Sequence, residues 1–242
     1  MRRHLRSPQL LIAGLAWCLS TYPVMAGQDV LPPDYPQSIE RDLTAVLSRL
    51  SAQGDEPIAL LEGAELYMQM ADDLFSEDGP RQSAYEAGAA LAKRALDIDA
   101  RQAHAHFVYA ATLGSAERLK GLANAGLVLN DIKRHLREAL AIDPTHPQAL
   151  QMMGGLYAEL PWVLGGNETE AESYLRRAIQ ADGRYTNAHL ILARLLIKQR
   201  RFAEARKHLQ AVIDVQQPHY PYSWLRLFKP EAERVLKTLP PS

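Results

Sequence analysis

Cysteine is nearly absent. Cys18 is the only one in 242 residues and lies within the apolar stretch near the N-terminus; without that stretch no thiol and no disulfide remain. Long hydrophobic runs are missing too: Leu10 to Leu19 is about ten residues, roughly half of what crosses a bilayer, so no stable membrane anchor is expected. Basic charge is not in excess either. The chain carries 27 Lys and Arg against 28 Asp and Glu, and removing Arg2, Arg3 and Arg6 leaves 24 against 28, a net of −4. No basic stripe is left to neutralise phosphates, which excludes nucleic acid as a partner. Disorder is excluded as well, because 47% hydrophobic residues over this length suffice for a substantial core.

Residues 1–26 read as a cleaved secretory signal. Arg2, Arg3 and Arg6 supply the positive start, Leu10 to Leu19 the apolar run, and Val24-Met25-Ala26 the cleavage site before Gly27. Lipid attachment at Cys18 requires a small residue before it, and Trp17 is bulky, so a lipoprotein is disfavoured. The processed chain is expected to be periplasmic or secreted. Pro32, Pro33 and Pro36 make residues 27–36 an extended leader, and 37–242 read as one helical domain.

Within that domain one pattern recurs. Pro147, Leu150, Met153 and Gly154, then Ala171, Leu175 and Ala178, are answered by Leu192, Ala193 and Leu196, then Ala205, Leu209 and Val212. This alternation of small and large residues belongs to a helical hairpin of about 34 residues, the tetratricopeptide length. Small residues at Gly154, Ala193, Ala171 and Ala205 let antiparallel helices cross, while Leu175 and Leu209 fill the gap to the next hairpin. The same logic predicts four irregular hairpins at about 57–98, 103–143, 147–182 and 186–215. Gly114, Gly121 and Gly126 mark a surplus in the second, as a longer turn or a helix extension, and Pro161 to Asn167 a smaller one in the third. An N-terminal capping helix runs from Ser38 to Gly54 and a C-terminal cap occupies 218–242, with 218–224 irregular because of Pro218 and Pro221. The fold class is therefore all-α, a tetratricopeptide-like superhelix.

Three pieces narrow the family: Ala139-Leu-Ala-Ile-Asp143-Pro144, the insertion Leu160-Pro-Trp-Val-Leu-Gly165-Gly166-Asn167 followed by Ala171, and Trp224 with Lys229-Pro-Glu-Ala232. Over about 56–239 the chain resembles a divergent tetratricopeptide protein, and within that class two related groups. One is the periplasmic tetratricopeptide component of TRAP transporters; the other is the regulator of microtubule dynamics family. On a bacterial chain the secretory signal sets microtubules aside. The first resemblance implies a solute-binding protein as partner, or an apolar small ligand within the repeat stack.

Reactive chemistry is not assembled anywhere in the sequence. His104 and His106 are two apart and point to different helix faces, and the remaining histidines are scattered, so no metal is expected. Asp72-Asp73 and Glu168, Glu170 and Glu172 read as solvated or capping carboxylates. Ser83 and Ser173 lack a glycine elbow or local histidine, and Gly165-Gly166 lacks the Lys-Ser/Thr of a phosphate loop. No catalytic residue and no cofactor follow. The expected function is a non-enzymatic scaffold that binds a protein partner of the cell envelope on its concave face, which the first helix of each hairpin lines. By register that face includes His104, Phe107, Gln151, Asn187, Arg194 and Lys198, with Met68 and Leu190 beside them. Arg194 and Lys198 share a helix face, suited to a carboxylate or to a solvated basic stripe. Trp162 and Leu164 either pack over the hairpin end or contact a partner at the edge.

Overall fold

A computed structural model describes residues 31–240, which belong to one unit; the expected signal and residues 27–30 of the leader lie outside the described residues. Among the described residues there are helices and no strands. α1 (Ser38–Gln53) buries Ile39, Leu43, Val46 and Leu50 against α2 (Pro57–Gln69), which continues through a π turn (Met70–Leu74). Glu56 caps α2 by accepting from the Ile58 and Ala59 amides, and Pro57 takes the first helical position, where no amide is needed. The pairs that follow are α3 (Asp78–Ile98) on α2, α4 (Ala103–Lys120) on α5 (Leu122–Ile142), α6 (Pro147–Glu159) on α7 (Glu168–Ala181), and α8 (Thr186–Lys198) on α9 (Phe202–Asp214). The surplus in the second hairpin is a helix extension, with Gly121 alone separating α4 from α5.

One local device recurs between the hairpins. Asp99, Asp143 and Asp182 each end a helix, and each Oδ1 accepts from the amide two residues on, at 2.9 Å in all three. This Asx turn redirects the chain identically before α4, α6 and α8. Small residues govern the crossings: a Cβ on Gly154 would lie 2.6 Å from Leu175 Cγ, so α6 meets α7 only with no side chain there. Ala193, Ala171 and Ala205 are buried as the repeat requires. Among the described residues one core cluster gathers around Leu60, Leu91, Val108, Leu136 and Met153, a second around Leu150, Leu175, Leu192 and Leu196, and a smaller one around Ala71, Ala84, Tyr85 and Ala116.

The C-terminus departs from a plain irregular stretch. Pro221–Ser223 form one helical turn (α10), Trp224–Phe228 a π turn, and Lys229–Thr238 the capping helix α11, which packs on α9. Trp224 anchors this region by donating from Nε1 to the Val212 carbonyl at 2.7 Å.

Candidate functional site

The first helices α2, α4, α6 and α8 line the concave face, and the chain's own C-terminal segment covers it. The His219 amide donates to the Arg184 carbonyl at 3.2 Å, and the Tyr185 and His219 rings lie 4.0 Å apart. Tyr220 packs on the second core cluster, where burial pushes its phenol up to about 12 against a hydrogen bond with Gln148. Ser223 donates to Asp73 Oδ1 at 3.2 Å, and Tyr35 donates to the other oxygen of the same carboxylate. Asp73 is thus a junction between leader, first hairpin and C-terminus rather than a solvated carboxylate, and burial raises its pKa. Asp72 likewise accepts from Tyr85.

The scattered histidines come together in pairs whose proton positions follow from their partners. The Ala149 amide donates to His146 Nδ1 at 3.2 Å, so His146 carries its proton on Nε2 and gives it to His104 Nδ1 at 3.0 Å. His104 must then donate from Nε2 to Glu65. A directional chain therefore joins α6, α4 and α2 across the concave face. A second arrangement occurs twice. His106 donates from Nε2 to the Ala100 carbonyl at 3.0 Å, so its Nδ1 accepts from His135 Nδ1 at 2.8 Å. His189 bonds the backbone of Gly183 and faces His208 Nδ1 to Nδ1 at 3.0 Å. Both first-helix histidines stand seven residues after the turn aspartate. Burial, with the neighbouring positive or imidazole groups, lowers His135, His146 and His189 to about 4, so these rings are neutral at pH 7. Among the described residues no group of three or more His, Cys, Asp or Glu is placed to hold a metal.

The opposite situation holds at the edge of the third hairpin. Trp162, Val163 and Leu164 form a single 3-10 turn and are 84%, 65% and 54% exposed. Packing over the hairpin end, one of the two sequence expectations for Trp162 and Leu164, does not occur. The turn is nevertheless fixed. The Gly166 amide donates to Pro161 O at 3.0 Å and the Asn167 amide to Tyr157 O at 2.9 Å, while Lys133 reaches Leu164 O at 3.3 Å. Gly165 has φ +88, and a Cβ on Gly166 would fall 1.8 Å from Leu160 O, so both glycines are obligatory. Asn167 then caps α7 by accepting from the Thr169 and Glu170 amides.

The residues expected on the concave face divide accordingly. His104 belongs to the histidine chain. Phe107 is a core residue, 7% exposed and packed against the His104 and His146 rings; its position beside His104 carried it inward instead of into the groove. Gln151 is half-buried on α6, with its Oε1 shielded and without a hydrogen-bond partner among the described residues. Asn187, half-buried on the first turn of α8, holds the place that His104 holds on α4. Arg194 does grip a carboxylate, that of Glu231 on α11, with Nη2 at 2.6 and 2.7 Å from its two oxygens. Lys198 pairs with Glu168 at 2.6 Å. Met68 is half-buried and Leu190 fully buried. Sequence reasoning missed Glu65, His146 and the segment 218–223; the recurrence of histidine seven residues after an aspartate was the available signal for the pairs.

Comparison with known proteins agrees with this architecture. No curated protein matches the chain by sequence. Among solved structures it is similar to TTC0263, a thermophilic TPR protein of Thermus thermophilus, with TM-score 0.62 and 18% identity over 82% of this chain and 92% of that one. A weaker likeness is to MamA, with TM-score 0.48 and 14% identity over 72% of this chain and 86% of that one. The first of these likenesses shows the fold. Residues 165–225 match the tetratricopeptide repeat model, and residues 29–163, more than half of the chain, match the model of regulator of microtubule dynamics protein 1-3. With four stacked hairpins and both matches in hand, the chain is a tetratricopeptide-repeat protein and belongs to the regulator of microtubule dynamics protein 1-3 family.

Proposed function

We propose that this protein is an exported, non-enzymatic scaffold that holds a protein partner in the cell envelope, and that the partner docks first on the Trp162–Leu164 turn. The repeat fold favours a binding role. The observation that carries the location is Trp162 itself, 84% exposed on a turn whose backbone is locked. A large ring held in water by a rigid backbone loses little entropy on docking and gains from desolvation, which is how aromatic anchors dominate interfaces. First docking on the concave face is opposed by the segment already lying there.

Export rests on the pattern of residues 1–26, so the intact mass of the exported protein should correspond to a chain beginning at Gly27. A species retaining an acylated Cys18 would overturn that reading. For the partner, pull-down from an envelope extract is compared between the wild-type chain and Trp162→Ala. The same protein should be captured by the first and lost from the second. Equal capture by both would remove the contact from this turn. If the captured protein is a solute-binding protein, the role narrows to an accessory component of a TRAP-type transport system.

A further inference from the structure

The segment across the concave face is more than a terminal cap. Capping is done by α11: Ala232 is buried, Arg206 donates to the carbonyls of Leu239 and Pro240 at 2.9 and 2.6 Å, and Glu231 pairs with Arg194. None of this requires the chain to reach Asp73 and Tyr35 at the other end of the array. Yet Ser223 meets Asp73 across 150 positions of sequence, and the Tyr222 ring lies tilted beside that of Tyr35 with centroids 5.5 Å apart. The reach is made by an uncharged run, Pro218-His219-Tyr220-Pro221-Tyr222-Ser223, seated on the face as a bound peptide would be.

We propose that residues 218–223 are a displaceable intramolecular ligand, and that the face beneath them accepts a segment of a partner protein with the same chemistry and the same bent course: uncharged, with tyrosines set off by prolines. Its grip on the face is by rings and by isolated hydrogen bonds, since Pro218 and Pro221 have no amide to donate. Among the described residues only the His219 amide of this run bonds the backbone beneath it, at Arg184. Pro218 and Pro221 each fix one backbone angle in advance, so a partner segment of this kind loses less freedom when bound. The run is pinned at both ends, by the end of α9 on one side and by Trp224 on Val212 on the other. Gln216 and Gln217 are exposed. It can therefore lift as a loop while α9 and α11 stay packed. The proposal is independent of the Trp162 contact, which lies on another part of the array.

The probe is a labelled synthetic peptide of residues 216–226, followed by fluorescence anisotropy. In the intact chain the internal segment competes, so the apparent affinity is reduced by the fraction of time the face is open. Tyr220→Ala with Ser223→Ala weakens the internal segment, and the peptide should then bind about tenfold or more tightly than to wild type. A scrambled peptide should bind neither protein, and adding Tyr185→Ala should abolish the gain. Equal binding to both proteins, or none to the variant, overturns the proposal. Should the variant fail to fold, hydrogen exchange on the unaltered chain decides. Amides of 219, 220, 222 and 223 should exchange well before those of α8 and α11, whereas exchange only together with them would mean that the segment does not open.

Discussion

The concave face and the Trp162 turn are built on opposite terms. On the concave face ionisable side chains have found partners within the chain: Glu65 with His104, His104 with His146, Arg194 with Glu231, Asp73 with Tyr35 and Ser223. At the turn it is the backbone that is satisfied, while three apolar side chains face water. The difference separates residues that hold the array together from residues available to something outside it. Register along a repeat does not make that distinction, because a groove position is a binding residue only when nothing of the same chain fills it.

The largest expected effect comes from treating a closed-side residue as a surface one. Phe107→Ala removes a buried ring and should cost about 3 to 5 kcal/mol of stability, seen as a lower denaturant midpoint. A midpoint close to wild type would place Phe107 outside the core and blur the contrast between the two surfaces.

Acid should act next, and unevenly. His135, His146 and His189 have folded pKa values of about 4, below the ordinary value near 6.5. The unfolded chain binds more protons between these limits, so stability is full above about pH 6.5 and is lost as pH falls towards 4, by on the order of 3 kcal/mol for a complete shift of this size. The α6–α7 hairpin carries Leu150 and Tyr174 where its neighbours carry His106 with His135 and His189 with His208. Hydrogen exchange at pH 5 should therefore rise in α4–α5 and α8–α9 before α7. A uniform rise would show that the histidine pairs are not the acid-labile element.

A smaller change follows from Arg194→Glu, which sets two carboxylates against each other on a half-exposed site. About 1 kcal/mol or less is expected, fading with salt because such pairs are screened over about 10 Å at 0.1 M. A loss that is larger and independent of salt would mean that Arg194 acts through packing. Least of all should Trp162→Ala move the melt, by within about 0.5 kcal/mol, since nothing is packed around that ring.

The legible part of this protein was the part written locally. Gly154, Ala171, Ala193 and Ala205 mark helix crossings, with Ala171 and Ala205 one 34-residue repeat apart, and Asn167 announces a cap by its place before two glutamates. The surplus near Gly121 was open between turn and helix because glycine permits both. Pairings across the array were not legible. Asp73 with Ser223 and Glu65 with His104 lie 150 and 39 positions apart, and no periodicity brings them together. Trp162 was undecided for a different reason: an apolar residue beside a Gly-Gly turn reads alike whether the turn points inward or outward.

The central claim is that a partner meets the open turn while the concave face is filled by the chain itself. A photo-crosslinking side chain placed at position 162 in one sample and at position 148 in another, each exposed to envelope extract, tests it most directly. Position 162 should yield an adduct with the partner, and position 148, beneath Tyr220, should yield crosslinks within the chain, with partner adducts only in the fraction in which 218–223 has lifted. A partner adduct from 148 and none from 162 would contradict the account.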